Sequence, residues 1–179
     1  MEDCIVREIK EFNKLSGLFI LASSLPHENS KNYTIENMQK RWSNYLMFNV
    51  LEYKGMPISF SGVYKYSDNL VRVVDRLFTM PEYRQRFMTK GITEKIRPAA
   101  DYFIPYQTKW AKARGFDCFF SIQTSKKRNS LKRLTKLIDD DLGYRMLPGL
   151  YQTSSNSITG WQNVSATNDN IKLPNKSIH

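Results

Sequence analysis

The chain is poor in histidine, cysteine and acidic residues and has no long apolar run, and each shortage removes a class of chemistry. Its two histidines are His27, in a polar stretch, and His179, the last residue, and neither is placed to act as a catalytic base. Its two cysteines, Cys4 and Cys118, lie far apart with no His or Cys neighbour at ligand spacing. That pattern argues against a structural zinc site and predicts free thiols in a reducing compartment. The apolar stretch Leu18–Leu25 is too short to span a bilayer and follows no secretory-type leader, so the reading predicts a cytoplasmic protein without a membrane partner. Asp and Glu number 17 against 27 Lys and Arg, a net charge of +10. Such a field favours nucleic acid, an acidic surface or a phosphorylated cofactor, and it fits a merely solvated basic surface equally well. What the chain does have is enough apolar content, 41% of 179 residues, to bury one sizeable core.

Periodicity divides the chain into a domain over residues 1–152 and a polar tail over 153–179, with Trp161 as an anchor for a tail that is weakly ordered or draped on the surface. Cys4–Ile9 alternates as a strand. Glu11–Leu25 repeats apolar residues at helical spacing up to Pro26, and a second helix starts from an N-cap at Thr34. Met47–Lys54, Pro57–Tyr66 and Leu70–Met80 are β-branched and aromatic and are separated by short polar turns, the pattern of three antiparallel strands. Thr89–Arg114 is helical in pattern, broken into pieces or kinked by Pro98 and Pro105 and closed by Gly115. Phe116–Thr124 has the continuous apolar character of a buried central strand. A helix over about 129–139 follows, and then a terminal hairpin over Leu142–Thr153.

Glycine is also scarce at one telling place. The strand Leu70–Met80 ends at Pro81, and Arg84, Gln85, Arg86, Phe87, Met88 and Thr89 follow where a helix should begin. The segment TMPEYR (Thr79–Arg84) resembles the V-x-P-x-x-R approach to the cofactor loop of the Gcn5-related N-acetyltransferases (GNAT family). Gly62 in the third strand, Asn129 opening the helix after the apolar strand, and the turns ARGFD (113–117) and DDLGY (140–144) resemble other recurring features of that family. The order of elements over residues 4–152 is similar too. The resemblance implies an α+β fold, a mixed and mostly antiparallel central sheet with helices on both faces. The sequence departs from the family pattern where Gln85 and Phe87 replace loop glycines, and where Lys136 and Leu137 occupy the usual tyrosine positions.

The resemblance implies acyl transfer from acetyl-CoA, or another acyl-CoA, to a small-molecule or macromolecular amine. Backbone groups around Phe78 and Thr79 would polarise the thioester carbonyl. Arg84, Arg86 and the amides of Gln85–Thr89 would hold the pyrophosphate, with Asn129 contacting the cofactor. Glu82 or Asp75 would take the amine proton, and a nearby tyrosine such as Tyr144 would stand in as the acid. Each also has a plainer reading: Glu82 as a carboxylate at a helix N-terminus, Asp75 as a cross-strand partner of an arginine, and the tyrosine as a rim residue. Two other classes compete. A nucleic-acid-binding or DNA-modifying protein on this fold would use Lys126–Arg128 and the aromatics Tyr64, Tyr66, Tyr83 and Phe87. A non-catalytic binding module would need none of the loop chemistry. Monomer and homodimer fit the sequence equally.

Overall fold

The computed structural model describes residues 3–26, 30–83, 98–124, 144–146 and 157–163. The predicted strand order is present. Strand β1 (Cys4–Glu8) is followed by a 3₁₀ turn at Phe12–Leu15 and helix α1 (Ser16–Ser24), then helix α2 (Ile35–Trp42). Thr34 caps α2 by accepting a bond from the Asn37 amide at 3.3 Å, as its sequence position predicts. Strands β2 (Tyr45–Tyr53), β3 (Met56–Lys65) and β4 (Leu70–Thr79) form the antiparallel run. Lys54 and Gly55 join β2 to β3 with φ of 50° and 78°, the left-handed pair that a two-residue hairpin turn demands.

Proline decides the shape of the crossover to β5. Pro98 opens a wide π-type turn (Pro98–Phe103), and Pro105 sits in the first turn of helix α3 (Ile104–Ala113), where its missing N–H costs nothing. The long helical pattern is thus broken into pieces at its prolines; its first residues, 89–97, lie outside the described ones. Gly115, at φ 75°, ends α3. Its amide reaches Lys112 C=O and the Phe116 amide reaches Ala111 C=O, both at 3.0 Å, which is a Schellman cap.

Strand β5 (Asp117–Thr124) lies parallel to β4, and β6 (Tyr144–Met146) and β7 (Ser157–Asn163) complete a seven-stranded sheet of order β1-β2-β3-β4-β5-β7-β6. Of the expected hairpin over Leu142–Thr153 only Tyr144–Met146 lies within the described residues. That strand pairs with β7, with Tyr144 opposite Asn163 and Met146 opposite Trp161. Ser157–Asn163 belongs to the polar stretch read as tail, yet it is inserted between β5 and β6. The alternating Ile158 and Gly160, Thr159 and Trp161 are compatible with a ladder, and the surrounding Ser and Asn conceal it.

Alternation places two cores on the two faces of the sheet. Against α1 and α2 lie Leu15, Phe19, Met38, Phe48, Val50, Phe60 and Phe78, whose rings pack edge-on and tilted, for example Phe19 on Phe60 at 5.3 Å. Against α3 lie Met47, Val63, Val71, Val73, Ile104, Ala111 and Cys118, continued by Leu51, Ile58 and Phe103. Cys118 is buried and Cys4 half-buried, and no disulfide joins them. Among the described residues no helix is long and apolar enough to cross a membrane.

Candidate functional site

Strands β4 and β5 pair at only three positions, Leu70 with Asp117, Val71 with Cys118 and Arg72 with Phe119. Beyond Arg72 the two strands part. β4 runs on to Thr79 beside β3, and β5 runs on to Thr124 beside β7. Among the described residues the sheet therefore has a V-shaped opening at the C-terminal ends of its two parallel strands.

The cause is written into the register of β4. Opposite Tyr64, Gly62 and Phe60 of β3, which step by two, stand Arg72, Asp75 and Phe78, which step by three. Two extra residues are thus inserted in β4, at two β-bulges. Val74 and Arg76 take left-handed φ values of 56° and 53° there, and bulges bend and twist the strand that carries them. For a β-branched valine that conformation is strained by about 1–2 kcal/mol. The first bulge is pinned from α3: Gln107 Oε1 accepts from the Val74 amide at 2.7 Å, and Gln107 Nε2 donates to Asn49 Oδ1 at 3.1 Å.

After the second bulge, alternation decides which backbone groups face the opening. The Met80 amide bonds Ile58 C=O and the Ser59 hydroxyl bonds Phe78 C=O, so Phe78 faces β3. Leu77 and Thr79 alternate with it, and the Leu77 C=O accepts from the Tyr33 hydroxyl at 2.7 Å. Phe78 and Thr79, the pair expected from sequence, stand at the end of β4 beyond the point where it parts from β5.

Asp75 lies on the α1/α2 face with only 2% of its surface exposed. Its carboxylate accepts from the Tyr45 hydroxyl at 2.5 Å and is ion-paired with Arg41 Nη2 at 3.1 Å and Arg72 Nη1 at 3.3 Å. Arg41 is further stacked over the Tyr64 ring, 4.3 Å from its centroid. Burial opposes the charge on Arg41, but Asp75 and Tyr45 outweigh it and raise its pKa. Burial also pushes the Tyr45 hydroxyl well up, reinforced by the adjacent Asp75 charge. A phenol whose folded pKa is raised contributes stability below its unfolded pKa of about 10 and loses it as pH rises past that value. The wild type is expected to lose stability above about pH 10 more steeply than Tyr45→Phe, as read from urea midpoints across that range.

Gly62 makes this arrangement sterically feasible. A Cβ there would lie 2.6 Å from the Tyr45 ring and 2.7 Å from Phe48.

The remaining candidates are distributed unevenly. Glu82 is exposed in a 3₁₀ turn, Pro81–Tyr83, that leaves the end of β4. Tyr144 opens β6. Arg84, Gln85, Arg86, Phe87, Met88, Thr89 and Asn129 lie outside the described residues, as do Lys126–Arg128. Three of the aromatics considered for base stacking are engaged inside the protein: Tyr64 beneath Arg41, Tyr66 against Phe119 and Tyr83 against Tyr53. No cluster of metal-ligating side chains occurs among the described residues. A separate cleft of about 370 Å³, lined by Trp42, Tyr45, Trp110 and Arg114 among others, sits at the end of the sheet where β4 and β5 remain paired, away from the opening.

Solved structures share this architecture end to end. The ribosomal-protein-S18-alanine N-acetyltransferase of Escherichia coli superposes with a TM-score of 0.56 at 11% identity, covering 95% of this chain and 99% of that one. The fold is that of the GNAT acetyltransferases. An N-acetyltransferase of Thermoplasma acidophilum, solved with coenzyme A, gives a TM-score of 0.55 at 15% identity over 88% of this chain and 97% of its own. A Salmonella typhimurium protein of the same fold, solved with acetyl-CoA, gives 0.52 at 11% identity over 90% of this chain and 94% of its own. No protein-family model and no curated protein sequence matches the chain. The low identities agree with a divergent GNAT fold, as the altered cofactor loop predicts.

Proposed function

We propose that the protein is an N-acyltransferase that moves an acetyl or other acyl group from coenzyme A to an amine. The observation that carries this reading is the opening between β4 and β5 together with the bulged edge of β4 that borders it. An acyl-CoA bound there supplies the activated thioester. Backbone amides at the end of β4, around Phe78 and Thr79, would bind the carbonyl oxygen of the group being transferred. Arg84, Arg86 and the amides of Gln85–Thr89, directly after β4 in sequence, would hold the pyrophosphate, with Asn129 as a further contact.

The amine must lose a proton to attack. Glu82, exposed beside the end of β4, is the better placed base, acting directly or through water. Asp75 is committed to Tyr45, Arg41 and Arg72, so its role is to hold that cluster. Tyr144, at the start of β6, would return a proton to the departing thiolate. The expected result is release of free coenzyme A thiol from acetyl-CoA when a panel of amines is supplied, with a loss of about 10²–10⁴-fold in Glu82→Gln. Undiminished turnover in that variant would remove Glu82 as the base. Acetyl-CoA left uncleaved with every amine would count against transfer itself.

A further inference from the structure

We propose that Gln107 is a positioning residue of the opening between β4 and β5: by holding the first bulge of β4 in place, it sets the gap in which the acyl-CoA lies. The ligand in this statement rests on the acyltransferase reading, whereas the geometry does not. Gln107 lies on α3 and is fully buried, a costly place for an amide unless both of its ends are used. Both are. Its Oε1 accepts from the Val74 amide at 2.7 Å, and its Nε2 donates to Asn49 Oδ1 on β2 at 3.1 Å. One buried side chain thus joins α3 to two strands of the sheet.

The bond falls where the opening begins. Arg72 is the last residue of β4 paired with β5, opposite Phe119, and Val74 follows just beyond it. Helix α3 itself leads through Gly115 into β5. Gln107 therefore ties one limb of the V to the helix that delivers the other. Val74 is held at φ 56°, a conformation that a β-branched residue keeps only when its surroundings fix it. Absorbing Val74 into a regular ladder would shift the end of β4 by one residue, about 3.3 Å, and turn every side chain beyond it to the other face. Asp75, bonded to Tyr45 and Arg41, and Phe78, packed in the α1/α2 core, also resist that slip. Losing Gln107 alone therefore loosens the edge of the opening without unfolding the sheet.

Asn49 carries the mark of this demand. It is fully buried, and its Nδ2 has no hydrogen-bond partner among the described residues. Buried donors are normally paired, so an exception needs a cause. The cause runs back from the bulge. Val74 has no partner in the β3–β4 register, so its N–H needs an acceptor and Gln107 must turn Oε1 toward it. That leaves Nε2 facing Asn49, which must answer with Oδ1 and leave its own Nδ2 unpaired. Two apolar side chains at these positions would leave no such orphan on Asn49, but they would strand the Val74 N–H. Bulges collect next to active sites, where they re-aim the strand, and this one borders the proposed acyl-CoA site.

The test is calorimetric titration with acetyl-CoA of the wild type, Gln107→Met, Gln107→Met/Val74→Gly and Leu15→Ala, a cavity variant in the opposite core. Thermal transitions confirm folding, and Gln107→Asn, one methylene too short to reach both partners, replaces the methionine variant if that does not fold. Gln107→Met should bind acetyl-CoA about tenfold more weakly than the wild type, the worth of one buried hydrogen bond. Glycine adopts a left-handed φ without penalty, so the double variant should regain most of that affinity although no hydrogen bond is restored. Leu15→Ala should lose stability and keep its affinity, which separates positioning from general destabilisation. Unchanged affinity in Gln107→Met, or a loss that Val74→Gly does not reduce, would overturn the proposal. Amide exchange read by NMR checks the geometry without the ligand: the Val74 amide should exchange slowly in the wild type and about tenfold faster in Gln107→Met. Rapid exchange of Val74 in the wild type would overturn the proposal as well. If the wild type shows that protection but does not bind acetyl-CoA, acyl transfer fails and the hold of Gln107 on the opening stands.

Discussion

Asp75→Ala is expected to destabilise the protein by about 3 kcal/mol, because it strips the one carboxylate from two guanidinium groups that are mostly buried. For a domain of this size that corresponds to a fall of roughly 10 °C in the thermal midpoint. Tyr45 would lose its acceptor as well, so the hydroxyl becomes an unsatisfied buried donor. The test of cause is a compensated variant. Asp75→Leu combined with Arg41→Met and Arg72→Met removes the buried charges together and should recover much of the loss, since apolar replacement of a whole buried ionic cluster is often neutral or stabilising. If the triple variant is as unstable as Asp75→Ala, the charge imbalance is not what destabilises the single variant. Asp75→Asn separates structure from catalysis. A folded Asp75→Asn protein that still transfers acyl groups is expected here, and a folded but inactive one would move the base from Glu82 to Asp75.

Gly62→Ala is the second large effect. The added Cβ would stand 2.6 Å from two ring carbons of Tyr45 and 2.7 Å from Phe48, distances that force one of the rings to move. Neither ring is a free end. Tyr45 packs edge-on against Phe48 at 5.1 Å and against Tyr64 at 5.3 Å, and its hydroxyl is tied to Asp75. Overpacking of this kind costs about 1–3 kcal/mol. The substitution should also loosen the Tyr45–Asp75 bond, so combining it with Tyr45→Phe should cost less than the sum of the two single changes. Strict additivity, measured by denaturant midpoints, would show that the clash is relieved elsewhere.

These two residues show how far the sequence could be read. Gly62 was noticed as a position where a related family often has glycine, but only packing shows why: Tyr45 and Phe48 need the space. The strands β2 to β4 were legible because they are β-branched and aromatic and are separated by short polar turns, β1 because it alternates and β5 because it is continuously apolar, and the break near Pro98 and Pro105 was legible because proline cannot donate the helical bond. Asp75 was visible as a carboxylate on β4. That it is clamped by Arg41, which lies on another element, is a tertiary fact. The two bulges were not legible, because Val74 and Arg76 are ordinary strand and surface residues without glycine to mark a left-handed φ. They matter most, since they lie where β4 parts from β5. Strand β7 was missed for a different reason: its pairing energy comes from neighbours on both sides, and seven residues within a Ser- and Asn-rich stretch carry little local signal.

The most direct measurement is calorimetric titration of the purified protein with acetyl-CoA and with coenzyme A, alongside an Arg84→Ala/Arg86→Ala variant. Acyl transfer at the β4–β5 opening predicts saturable binding by the wild type, and a loss of about a hundredfold or more when two charge-assisted phosphate contacts are removed. No binding by the wild type at millimolar ligand, with the protein folded, would contradict the account and leave the GNAT fold serving another purpose.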